Sequence, residues 1–201
     1  MAEARRMLGP QVTRAGYWGS SQGGWVAPLA ATKVEPDFLV VRVGPGVSEL
    51  EAHVHETRQE ARQEGLAGLA LDHASSLSRE IYGLAVAGEP LSATDALVTP
   101  YLDQSWYQTA FGAGLVSGRW SQRWWRWAQA NMAVEPGPSL RQLDLPILWF
   151  LAENDENVPL VASRAALERG EHRWRKACAV PARPRPGCAR TMRRGNALAT
   201  S

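Results

Sequence analysis

The chain has 201 residues, 22 basic against 20 acidic side chains and a formal net charge of +2; its length fits one domain with a sizeable core, or that domain with a small lid, and two unrelated domains are not expected. No apolar run is long enough to span a bilayer, and the opening "MAEARRMLGPQ" has no apolar signal core, so a cytosolic (cytoplasmic) location is expected. The two cysteines, Cys178 and Cys188, make neither a disulfide framework nor a zinc spacing.

In chain order, "MAEARRMLG" reads as the last turns of a helix and "TRAGYWG" as a short strand. That strand runs into "GYWGSSQGGWVAP", where Gly19, Ser21 and Gly23 fit G-x-S-x-G. In this elbow a strand turns sharply into a helix and lifts a serine hydroxyl above the sheet. The helix starts at once in "QGGWVAPLAATK". Gly23 and Gly24 are small enough to let it lie against neighbouring strands, with Trp25, Val26, Leu29 and Ala30 expected to face inward. Pro28 falls in its first turns, where proline is tolerated. "PDFLVVRVGPG" then reads as a buried parallel strand closed by Gly-Pro-Gly, which completes a βαβ unit.

From Ser48 the pattern turns helical. Ser48 and Glu51 have capping-box spacing, and helix formers without strand-like alternation continue, with breaks, to about Met132. A stretch of this length exceeds what a crossover needs, so an inserted helical lid is the reading. Within it, "SGRWSQRWWRWAQANM" puts Trp120, Trp124 and Trp127 on one helical face and Arg119, Arg123 and Arg126 on the adjacent one. This stripe is read as the lid packing over the core. An acyl-pocket wall, or stacking on nucleic acid or a membrane interface, are the alternatives, and Trp125 falls on a side of its own. His53, His55 and His73 also lie in the insertion and are expected to be surface helix residues. As metal ligands His53 and His55 fail, because an i, i+2 pair points to different helix faces. No metal and no cofactor are expected.

The chain returns to a strand in "LDLPILWFLAENDENVP", where Pro146 precedes the run Ile147 to Leu151 and an acidic turn follows. Ligands of open α/β sheets bind at the C-terminal ends of strands, which brings Glu153, Asn154, Asp155 and Glu156 into view. Residues 163–201 then carry 10 basic against 2 acidic side chains. "VPARPRPGCARTMRRGNALATS" has almost no apolar periodicity and is expected to be a disordered basic tail.

The combination of "GYWGSSQGGWVAPLAA", "FLVVRVGPGVS", the helical insertion and "LPILWFLAENDENVP" resembles the α/β-hydrolase superfamily over residues 10–165. Within it, the likeness is to serine hydrolases akin to dienelactone hydrolases, prolyl-oligopeptidase-type peptidases and acyl thioesterases. The resemblance implies a partial α/β-hydrolase fold with a mostly parallel sheet. Residues 1–47 would carry the elbow, 48–139 the lid, 140–170 a core strand with the acid loop, and 171–201 the tail. It implies Ser21 as nucleophile toward an ester, thioester or amide carbonyl, with the backbone N–H of Gln22 as one oxyanion donor. It implies Asp155 as the acid that orients a histidine, with Glu153 as the runner-up.

Two departures from that family pattern bear on activity. Only 20 residues precede Ser21, where the family has a half-sheet and a loop that gives the second oxyanion donor. The edge so left is expected to be exposed and apolar, open to self-association or to a partner chain. The family's histidine follows the acid and one more strand. Of the four histidines here only His172 follows Asp155, and it falls ahead of any last strand. A reading frame that begins inside a longer gene and slips near residue 170 explains both departures. The expectation is a serine hydrolase acting on a small-molecule ester, thioester or peptide, catalytically incomplete as this chain. The alternative is a non-catalytic binding protein using the Trp/Arg helix and basic tail on nucleic acid or membrane.

Overall fold

A computed structural model describes residues 11–111, 121–169 and 178–180, with residues 3, 6, 7 and 9 ahead of them. Four parallel strands lie side by side in sequence order: β1 (Gly16–Ser20), β2 (Phe38–Arg42), β3 (Ile147–Ala152) and β4 (Cys178–Val180). The register sets Gly16 beside Phe38, Leu39 beside Ile147 and Phe150 beside Cys178. Parallel neighbours need a crossover each. The first is α1 (Gly23–Lys33). Between β2 and β3 come α2 (Glu49–Gln63), α3 (Gly68–Val86), α4 (Ala93–Val98) with a 3-10 turn at Thr99–Tyr101, α5 (Ser105–Phe111), α6 (Gln122–Asn131) and α7 (Gly137–Leu140). The last crossover contains α8 (Leu160–Arg169). The chain is therefore mixed α/β with a parallel sheet. Among the described residues no helix is long and apolar enough to cross a membrane.

Strand alternation divides the sheet into two faces. Leu39 and Val41 of β2 and Ile147, Trp149 and Leu151 of β3 are buried against Ala27 and Ala31 of α1, Leu140 of α7 and Leu167 of α8. Each such aliphatic side chain contributes about 1.5–3 kcal/mol by leaving water. Val40, Leu148 and Phe150, on the opposite face, are half-buried. The helix α1 approaches the sheet through small residues. A Cβ on Gly19 would lie 2.7 Å from the carbonyl oxygen of Gly23, and one on Gly24 would lie 2.9 Å from the backbone of Gly44. This close approach corrects the expected inward face. Gly24, Trp25, Ala27, Pro28 and Ala31 are buried, whereas Val26 and Leu29 are 54% and 47% exposed. A helix that touches strands backbone to backbone buries its small stripe and turns longer side chains outward.

The helical insertion builds a second core of its own. Leu71, Ala74, Leu77 and Ile81 of α3 meet Tyr107 and Phe111 of α5 and Trp125 and Ala128 of α6. As expected, α2 is capped by Ser48, whose Oγ accepts from the Glu51 N–H at 3.3 Å. The Glu51 carboxylate pairs instead with Arg79 of α3, which pins the two longest helices together. The tail differs from expectation at one place. Cys178–Val180 forms β4 by pairing with β3, so residues 171–201 are not structureless throughout. His172 and the rest of that stretch lie outside the described residues.

Candidate active site at the β1 to α1 turn

The sequence places Ser21 between the end of β1 and the start of α1, and the backbone there is left-handed, with φ +53° at Ser21. Non-glycine residues avoid this region because Cβ crowds the following carbonyl. The ladder holds it in place. The Ser21 N–H donates to the Arg42 carbonyl at 3.1 Å, and the Ser21 carbonyl accepts from the Gly24 N–H at 2.8 Å. The side chain stands exposed at the C-terminal end of the strand. Next to it, the Gln22 N–H donates to no backbone carbonyl among the described residues, as expected of a group at a helix start. A second left-handed residue lies at the end of the neighbouring strand, Val43 with φ +44°.

Ser21 opens onto a pocket of about 230 Å³. It is lined by Gln22 and Trp25 from the elbow side of the chain, by Glu49, His53 and Glu56 of α2, and by Asn157 and Val158 from the turn after β3. The helix α2 and the loop ahead of it are tied to α1, to the turn after β3 and to the end of α6. Trp25 Nε1 donates to the Val47 carbonyl at 2.7 Å, Gln63 Nε2 donates to Glu156 at 2.6 Å, and the Glu49 and Leu50 N–H groups donate to Val134 and Met132 at 3.0 Å.

Ser21 and Gln22 line the pocket together with residues that the sequence reading assigned elsewhere. Asp155 is not among the residues lining it. Its Oδ1 accepts from the N–H groups of Asn157 and Val158, both at 3.0 Å, which fixes the turn that presents those two residues to the pocket. Glu153 is exposed on the same turn. Asp155 does lie within electrostatic reach of His55, whose pKa is lowered by burial against the opposing pull of Asp155 and Glu56.

The largest correction concerns His53, which is not a surface residue. Its side chain is 26% exposed and faces the pocket. Nδ1 is 3.2 Å from Glu56 Oε2, in hydrogen-bond geometry. Nε2 is 3.3 Å from Glu49 Oε1 as an ion-pair contact, is buried, and has no hydrogen-bond partner of good geometry among the described residues. Burial of the ring disfavours its charged form, but the carboxylates of Glu49 and Glu56 outweigh this and raise the pKa to about 9. Glu56 is correspondingly lowered, chiefly by His53. The rings of Tyr82 and Trp127, 5.4 and 6.4 Å away, wall the imidazole on its other side. His73 is exposed, as expected, against Trp106.

The tryptophan stripe is also rearranged. Trp125, the residue without a role in the sequence pattern, is 1% exposed, and its Nε1 donates to the Glu89 carbonyl at 2.8 Å. Trp124 and Trp127 are half-buried and join Tyr82 and His53 in one ring cluster. Trp120 and Arg119 lie outside the described residues. Among the described residues no group of three or more histidine, cysteine, aspartate or glutamate side chains is placed to hold a metal ion. No protein-family model matches the chain, and no curated protein matches it.

Proposed function

We propose that the chain is a serine hydrolase of the α/β-hydrolase type, acting on an ester, thioester or amide through an acyl-enzyme on Ser21. The observation that carries this reading is the left-handed Ser21 at a strand-to-helix turn, exposed at the mouth of a pocket. A serine held at unfavourable φ costs stability, and such strain collects at functional positions. The Gln22 N–H, at the start of the 11-residue α1, is the oxyanion donor in this reading. Asp155 contributes by ordering the turn beneath the pocket.

The alternative of a binding protein gains less from the geometry. Arg123 and Arg126 are exposed on α6, but Trp125 is buried beside them and Trp124 and Trp127 are half-buried among other rings. That arrangement serves packing better than stacking on bases. The test is to incubate the full chain with an alkyl fluorophosphonate and map the adduct by mass spectrometry. One adduct on the peptide containing Ser21, absent from Ser21→Ala, is the expected result. No adduct at Ser21 at any pH between 6 and about 10, a range that brackets imidazole titration, would overturn the reading.

A further inference from the structure

We propose that His53, carried on the helical insertion, is the proton acceptor for Ser21, oriented by Glu56. This inference rests on the serine-hydrolase reading above and adds the histidine that the sequence does not place after the acid. Three observations carry it. His53 and Ser21 line one pocket. Glu56 holds Nδ1 at 3.2 Å, whereas Nε2 lies 3.3 Å from Glu49 Oε1 without hydrogen-bond geometry and turns from that carboxylate to take the serine proton. One ring nitrogen held by a carboxylate and the other turned to the hydroxyl is what a serine nucleophile requires of its base. Finally, the rings of Tyr82 and Trp127 wall the imidazole, limiting the orientations it can adopt.

The step balances within the chain. As Ser21 Oγ bonds to the substrate carbonyl carbon, its proton passes to His53 Nε2. As the bond to the leaving group breaks, the leaving oxygen, sulfur or nitrogen takes that proton. Water then attacks the acyl carbon and gives one proton to His53, and as the bond from that carbon to Ser21 Oγ breaks, Ser21 regains the proton. Ser21 and His53 are not hydrogen-bonded to each other in this structure. A contact of this kind tightens on substrate binding.

The groups that face His53 define a pH signature. Glu49 and Glu56 come from its own helix, and Tyr82 comes from α3, its phenol pushed up to about 12 and so neutral over the range of interest. Asn157, at the end of the pocket, does not titrate. His53 acts as a base only when neutral, so with its pKa at about 9 the reaction speeds up as pH rises through that value. Removing the Glu49 carboxylate lowers the pKa and moves the midpoint down.

The experiment is the rate of fluorophosphonate adduct formation on Ser21 from pH 6 to about 10 in the full chain and in His53→Gln, Glu49→Gln and His172→Gln. The proposal expects a wild-type rate that rises through a midpoint near pH 9 and a rate at least about 10²-fold lower, without that midpoint, in His53→Gln. It expects a lower midpoint in Glu49→Gln and an unchanged profile in His172→Gln. A His53→Gln chain that is folded by circular dichroism and reacts as fast as wild type overturns the inference and leaves Ser21 as nucleophile. Loss of the reaction in His172→Gln instead overturns it too. If His53→Gln does not fold, an unshifted midpoint in Glu49→Gln overturns it. Absence of any Ser21 adduct in the wild type removes both this inference and the reading beneath it.

Discussion

Ser21 and Val43 hold left-handed backbone at the ends of adjacent strands, and neither residue type adopts it readily. At Val43 the β-branched side chain makes the cost higher, and a hydrogen bond from its N–H to the Phe150 carbonyl at 2.8 Å holds the turn. Glycine removes the Cβ clash that Ser21 suffers. We therefore expect Ser21→Gly to raise unfolding stability by up to about 1 kcal/mol while abolishing adduct formation, as read from denaturant midpoints. A fall in stability would mean that the hydroxyl contributes more to the fold than the strained φ takes away. Much of this turn was legible in the sequence, because its glycines mark where backbone comes close to backbone. A Cβ at Gly19 would collide with the Gly23 carbonyl, and at Gly24 with Gly44. Gly23 is less constrained, since a Cβ there meets nothing within 4 Å.

At the level of elements, α2 and α6 show where a sequence pattern runs out. The start of α2 could be read from Ser48, because a cap depends on neighbours three residues away. Its pocket-lining face was legible too, since Glu49, His53 and Glu56 recur at i, i+4 and i+7 and so share one side of a helix. Beside His55 alone, two residues on and on another face, His53 shows no such stripe. For α6, pattern alone could not decide. "QRWWRWAQAN" offers aromatics on several sides, and the side that became the core was set by α3. Trp125 fills that interface and satisfies its N–H on Glu89. Trp125→Ala should cost about 3–5 kcal/mol, measured by chemical unfolding, because it leaves a cavity where neighbouring helices cannot close in.

Across the whole molecule, the charge cluster on α2 links stability to pH. The folded-state pKa of His53, about 9, stands above its ordinary value of 6.5. Its contribution is therefore complete below pH 6.5 and is lost as pH rises through 9. His55, with a lowered pKa, acts in the opposite sense as pH falls below its own ordinary value. The informative measurement is thus a difference. The melting temperature of the wild type relative to His53→Gln should fall steadily from pH 6.5 to 9. A difference that is constant with pH would show that the two carboxylates do not hold the imidazolium in the folded chain.

Ser21 sits at the end of the sheet, whereas His53 rides on the helix that leads into the other hydrophobic cluster. Among the described residues the chain crosses between these two clusters around residues 43–48 and 133–136. The spacing of the two side chains is thus a property of how one body leans on the other rather than of either alone. A molecule bound in the cleft would bridge them like a clasp. Its mark should be slowed amide hydrogen exchange in both crossings, far more than in the interior of either body.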